Sequence, residues 1–153
     1  MSERRELEFS SMAEVIEDIE QMASSQHRTT GNHSFAKIVK HLATTNEMLV
    51  GKIVPPKLPW YMRMMMPMMR SKILSGPVEP GFKLPSDQMQ SFFWSVEEPD
   101  LSQAIEQFKQ SAEVYKNQGP LPAHPIFGKA TPEQIDGLTL KHAAMHLSFV
   151  HSQ

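Results

Sequence analysis

Apolar residues in this chain recur three and four positions apart in four separate stretches, and no stretch alternates with period two for long enough to build a sheet. The first pattern lines one face of a helix and the second would line one face of a strand, so the chain is constrained to pack helices on helices. Met12, Val15, Ile16, Ile19, Met22 and Ala23 share a face over residues 12–23. Ser11, with Glu14 three positions on, has the form of a capping box. Over residues 34–50, Phe35, Ile38, Val39, Leu42 and Leu49 form a second stripe, with His41 at its edge and Asn32 or Ser34 as cap. A less regular helix spans 60–74, where Pro67 either kinks it or starts a new turn.

Leu101, Ala104, Ile105, Phe108, Ala112 and Tyr115 make the stripe of a helix over 101–116, opened by Asp100 with Gln103 three residues later. Thr131, Pro132 and Gln134 open a last helix that runs to the C-terminus, in one piece or broken at Gly137. Between these helices lie Pro55, Pro56 and Pro59, a Gly- and Pro-rich loop over 75–87, and "GPLPAHPIFG". "SFFWSV", residues 91–96, reads as a strand-like piece or a packed loop. The expected fold is all-α: a single-domain bundle over 1–153 with irregular, proline-rich connections.

Composition narrows function by exclusion. The 153 residues carry a net charge of −2, which argues against a nucleic-acid binder that relies on a basic surface. There is no cysteine, so thiolate metal sites and cysteine nucleophiles are ruled out and a metal must use nitrogen or oxygen ligands, with methionine thioether sulfur a poor third choice. "MSERRELEFS" lacks the apolar core of a secretory signal, and "WYMRMMMPMM" is too short to span a bilayer. A cytoplasmic protein is expected, with neither membrane nor nucleic acid as partner.

Three of the seven histidines fall within "LKHAAMHLSFVH". His142 and His146 are four apart, which stacks them on one helix face with Cβ atoms about 6 Å apart. They share a sector with Ile135, Leu138 and Met145, so they face the core. Buried imidazoles need partners, and a divalent cation supplies one if a third ligand arrives from another helix. His41 is placed to be that ligand. The competing reading is a chance pair of packed histidines. There is no Glu beside His142, so HExxH chemistry is absent. His151 is expected at the surface, His27 in a solvated turn, His33 too far along its helix to stack with His41, and His124 in loop packing.

The ordered set "TTGNHSFAKIVKHLA", "AHPIFGKATPEQ" and "KHAAMHLSFVHSQ" resembles the DinB/YfiT-like superfamily of metal-dependent four-helix-bundle proteins, and within it a branch described as a domain of unknown function. The resemblance covers nearly the whole chain. It implies a four-helix bundle with a divalent metal (Zn, Ni or Fe) held by His41, His142 and His146. It also implies small-molecule chemistry. Some members are transferases and isomerases that use a low-molecular-weight thiol, and hydrolysis by an activated water is the other option. A homodimer fits the resemblance as well. His33 stands where tryptophan is frequent in that superfamily. The alternative from another class is a non-enzymatic binding or dimerisation module with structural histidines.

Met62, Met64, Met65, Met66, Met68 and Met69 crowd eight positions, flanked by Arg63 and Arg70. Methionine fills irregular gaps, so the expectation is a bundle core with a few exposed residues; a pliable wall for a substrate or partner helix, and soft copper binding, are the other readings. Phe92 to Trp94 are expected to plug the structure or line a cleft, and "EEPD" is expected to be a solvated helix entry.

Overall fold

A computed structural model describes residues 3–153, and the protein is mostly helical. The element order is α1 (Met12–Ala23), β1 (His27–Thr29), α2 (Phe35–Leu49), α3 (Trp60–Ser75), α4 (Asp87–Phe93), α5 (Leu101–Gln118), β2 (Ala123–His124), β3 (Gly128–Lys129), α6 (Pro132–Leu147) and β4 (Val150–Ser152). None of the helices is long and apolar enough to cross a membrane.

The caps set where helices begin. Ser34 Oγ accepts from Lys37 N at 3.2 Å, and Asp100 Oδ1 accepts from Gln103 N at 2.9 Å. At Thr131 the box is reciprocal: Thr131 Oγ1 accepts from Gln134 N at 3.1 Å, and Gln134 Oε1 accepts from Thr131 N at 2.9 Å. At Ser11 only half of the box forms. Ser11 Oγ accepts from Glu14 N, while the Glu14 carboxylate reaches one residue further back, to Ser10 N at 2.7 Å.

The main core draws on four helices. Val15 and Ile19 of α1, Ile38, Val39 and Leu42 of α2, Phe108 of α5 and Leu147 of α6 are all 3% exposed or less. A second cluster, with Met48, Leu49, Met89, Phe93 and Ile135, lies under the proline-rich side. Helix α2 runs through both clusters, so twelve of its fifteen residues are buried. That encloses His41 on all sides, rather than leaving it at the edge of a stripe.

Several expectations are corrected. Residues 91–93 end the short helix α4, which Ser86 caps, instead of forming a strand-like piece. Helix α6 passes Gly137 unbroken but stops at Leu147, short of the C-terminus. The chain then turns and Val150–Ser152 pairs antiparallel with His27–Thr29, with His151 opposite Arg28. His151 is therefore buried, its Nε2 3.3 Å from the Glu3 carbonyl, and not at the surface. A second two-stranded ribbon, β2–β3, occupies "AHPIFGK". These ribbons are two or three residues long and too short to leave a period-two signal. The methionine run also departs from expectation: Met66 is buried, but Met64, Met65, Met68 and Met69 are exposed.

Candidate metal centre

α6 carries the spaced pair His142 and His146, and α2 brings His41, the candidate third member, up to them. His41 Nε2 lies 3.2 Å from His142 Nε2, and His146 Nε2 lies 3.1 Å from the same atom. One nitrogen from each ring falls within 4.8 Å of the others. Among the described residues this cluster contains no carboxylate.

The tautomer of His41 follows from its surroundings. Its Nδ1 is 2.9 Å from the carbonyl oxygen of Phe93, and a carbonyl only accepts. The proton therefore sits on Nδ1, and Nε2 offers a bare lone pair toward His142. His142 Nε2 then has two nitrogen neighbours and at most one proton to share. If it is bare, it faces the His41 lone pair. If protonated, a single N–H has to divide itself between two lone pairs. Hydrogen bonding thus leaves the cluster poorly satisfied, which buried polar atoms rarely tolerate.

A cation suits the same geometry. Two nitrogens about 2.1 Å from one ion at the tetrahedral angle stand roughly 3.4 Å apart, close to the spacings found here. The protonation state suits it as well. Burial pushes the His142 imidazole down to about 4, and burial, reinforced by the neighbouring imidazoles that would repel a second positive charge, pushes His41 and His146 well below the ordinary range. All three are neutral at pH 7, as ligands must be.

The rings are held from outside the cluster. Trp94 stacks on His41 at 3.9 Å with 4° between planes, and His33 stacks on Trp94 at 3.6 Å and 9°. Two rings this close to one indole occupy its opposite faces, so Trp94 is sandwiched between His33 and His41. His33 thus reaches His41 only through Trp94, which lies 5.2 Å from the His146 ring as well. "FFW" consequently does two jobs: Phe93 plugs the core and supplies the carbonyl, and Trp94 braces the histidine rings. The sequence signal was there in the aromatic triplet, but nothing local tied it to His41.

His124 is buried at the end of β2, where its Nδ1 accepts from Ile126 N at 3.1 Å and Phe127 N at 3.2 Å in the turn that follows. That is the expected packing role. Burial pushes its imidazole down to about 4. "EEPD" is a helix entry: Glu98 accepts from Ser34 Oγ at 2.6 Å and Asp100 caps α5. His142 borders a cavity of only about 10 Å³ with Thr45, Asn46 and Thr139, room for at most a water. A cavity of about 670 Å³ lies elsewhere, between residues 4–9 and Leu140, Lys141 and Ala144 of α6, and none of the three histidines lines it.

Fold and site define a mostly helical protein with a three-histidine cluster that could hold a metal ion. The chain belongs to the DUF1569 family, a protein of unknown function, whose family model matches residues 1–153. No curated protein and no solved structure matches it.

Proposed function

We propose that this protein binds one divalent metal through Nε2 of His41, His142 and His146 and acts as a metal-dependent enzyme on a small molecule. The observation that carries the reading is the convergence of three neutral imidazole nitrogens that hydrogen bonding leaves poorly satisfied. An all-nitrogen donor set suits Zn²⁺, Ni²⁺ or Fe²⁺. Four helices sharing the main core, with ligands on two of them, fit the DinB/YfiT-like four-helix bundle that the sequence resembles.

The ion would supply Lewis acidity, lowering the pKa of a water or a thiol that binds it. The chain's own residues hold it in place. The Phe93 carbonyl fixes the His41 tautomer, the kind of outer support that metal-bound imidazoles ordinarily have. The Trp94 stack limits rotation of the His41 ring. Burial keeps the three rings unprotonated. Three protein ligands leave a coordination position free, as in catalytic rather than structural sites. Activation of a bound water by a hydrolase, or of a small thiol by a transferase, is the chemistry we propose for such a site.

Metal analysis of protein purified without a histidine tag tests the proposal. About one equivalent is expected, falling close to zero in the His142→Ala/His146→Ala variant. Full metal content in that variant would overturn the ligand assignment. The second reading, a non-enzymatic binding or dimerisation module, draws on the exposed methionines of α3. It expects the histidine variants to keep any association intact.

A further inference from the structure

Eight of the ten large hydrophobic residues exposed among the described residues lie between Val54 and Phe82. Six are on α3: Trp60 at 71%, Tyr61 at 49%, Met64 at 69%, Met65 at 51%, Met68 at 87% and Met69 at 45%. At about 100° per residue these six cover one half of the helix, while Met62, Met66, Ile73 and Leu74 face the protein from the other half. An apolar patch of this size on a helix is the kind of surface that calls for a partner.

Charge indicates which partner. Residues 48–78 contain Lys52, Lys57, Arg63, Arg70 and Lys72 and no Asp or Glu. With five positive charges there and a total of −2, the rest of the chain carries −7. Lys52 pairs with Glu47 at 3.9 Å and Arg70 donates to the Phe127 carbonyl, which leaves Lys57, Arg63 and Lys72 as the exposed cations of this segment. A second copy docking by a two-fold axis would set these charges against one another. An anionic bilayer attracts this side and repels the remainder, which also fixes the orientation. Trp60 and Tyr61 at one end of the face are the side chains that favour the headgroup region. Lys72 at the other can reach out to phosphate while its stem stays apolar.

We propose that the outward face of α3 docks on the surface of an anionic lipid bilayer, lying in the interface without crossing it. The proposal departs from the expectation, drawn from span length, that no membrane is a partner. It stands independently of the metal centre, because none of the three histidines is on α3.

The test is co-sedimentation of the full chain with phosphatidylglycerol vesicles and, separately, with phosphatidylcholine vesicles, at low and moderate salt. Binding to the anionic vesicles is expected, weakened by salt, and at least about tenfold weaker to phosphatidylcholine. Met64→Glu/Met68→Glu and Arg63→Glu/Lys72→Glu should each lower binding by about tenfold or more, with helix content and metal content unchanged. These side chains are exposed, so folding should survive. The proposal is overturned by absent binding at low salt, by equal binding to both vesicle types, or by variants that bind as the parent does. A lipid-free dimer that Met64→Glu/Met68→Glu dissociates, with no vesicle binding by the parent, would assign the face to a second copy instead.

Discussion

His41 and Phe93 are joined by a 2.9 Å hydrogen bond from imidazole Nδ1 to the carbonyl oxygen, and that bond decides which nitrogen of His41 meets the histidines of α6. The proton on Nδ1 leaves Nε2 bare. The expected outcome, read by long-range ¹⁵N–¹H NMR on metal-free protein at pH 7, is a neutral His41 in the Nδ1–H form. Because burial holds its pKa well below the usual value, it should stay neutral as the pH falls past 6. An Nε2–H signal for His41 would remove the basis for convergence.

Metal should stabilise the fold, since the site joins α2 to α6 and the unfolded chain lacks it. At a free metal concentration about 100 times the dissociation constant, the gain is about 2.7 kcal/mol. For a chain of this length that is roughly 5–10 °C in Tm. Calorimetry with and without chelator checks the shift, which should vanish in His142→Ala/His146→Ala. An equal shift in that variant would place the ion elsewhere.

Stability of the metal-free protein should fall as the pH drops. His124 and His142 titrate near 4 when folded and near 6.5 when unfolded, so between those values the unfolded chain binds more protons. Stability is fully present above about pH 6.5, declines through the window, and levels off below about 4 for these two groups. His124 alone accounts for about 3 kcal/mol of this, to order of magnitude. In His124→Asn, Oδ1 can accept the Ile126 and Phe127 N–H groups in place of Nδ1 without titrating. Urea denaturation of this variant should show a shallower slope between pH 4 and 6.5, with stability near pH 7 within about 1 kcal/mol of the parent. An unchanged slope would mean His124 is not the titrating group.

Arg5 straps the N-terminal arm to the fold. Its guanidinium donates to both Asp18 oxygens at 2.8 and 2.9 Å and to the Leu147 carbonyl at 3.0 Å, where α6 ends. Cations are favoured at such a helix terminus. Arg5→Ala should cost about 2–3 kcal/mol in chemical denaturation, the pair being partly rather than fully buried. A cost under about 0.5 kcal/mol would mean the arm is not docked in solution.

How much was legible depends on the range of the forces involved. The start of α1 at Met12, the Asp100 cap and the Thr131–Gln134 box are contacts across three residues and were readable directly, while the cap of α2 was readable only as Asn32 or Ser34. His142 and His146 were readable as a pair because one helical turn separates them. The pairing of β1 with β4 was not, since its partners stand more than a hundred residues apart and three residues of strand carry no period. His151 was misplaced for that reason. Trp94 was seen as an aromatic plug but not as the ring between His33 and His41, because stacking depends on where α4 ends.

Local sequence by itself determined the helical class, the helix starts other than that of α4, and the His142–His146 pair on α6, since backbone hydrogen bonding and side-chain spacing repeat over three or four residues. Only the tertiary structure decided that His41 meets them, that the Phe93 carbonyl sets its tautomer, and that the methionines of α3 face outward. Each of these depends on how helices far apart in the chain cross and bury one another, and burial is a property of the packed whole rather than of any short segment.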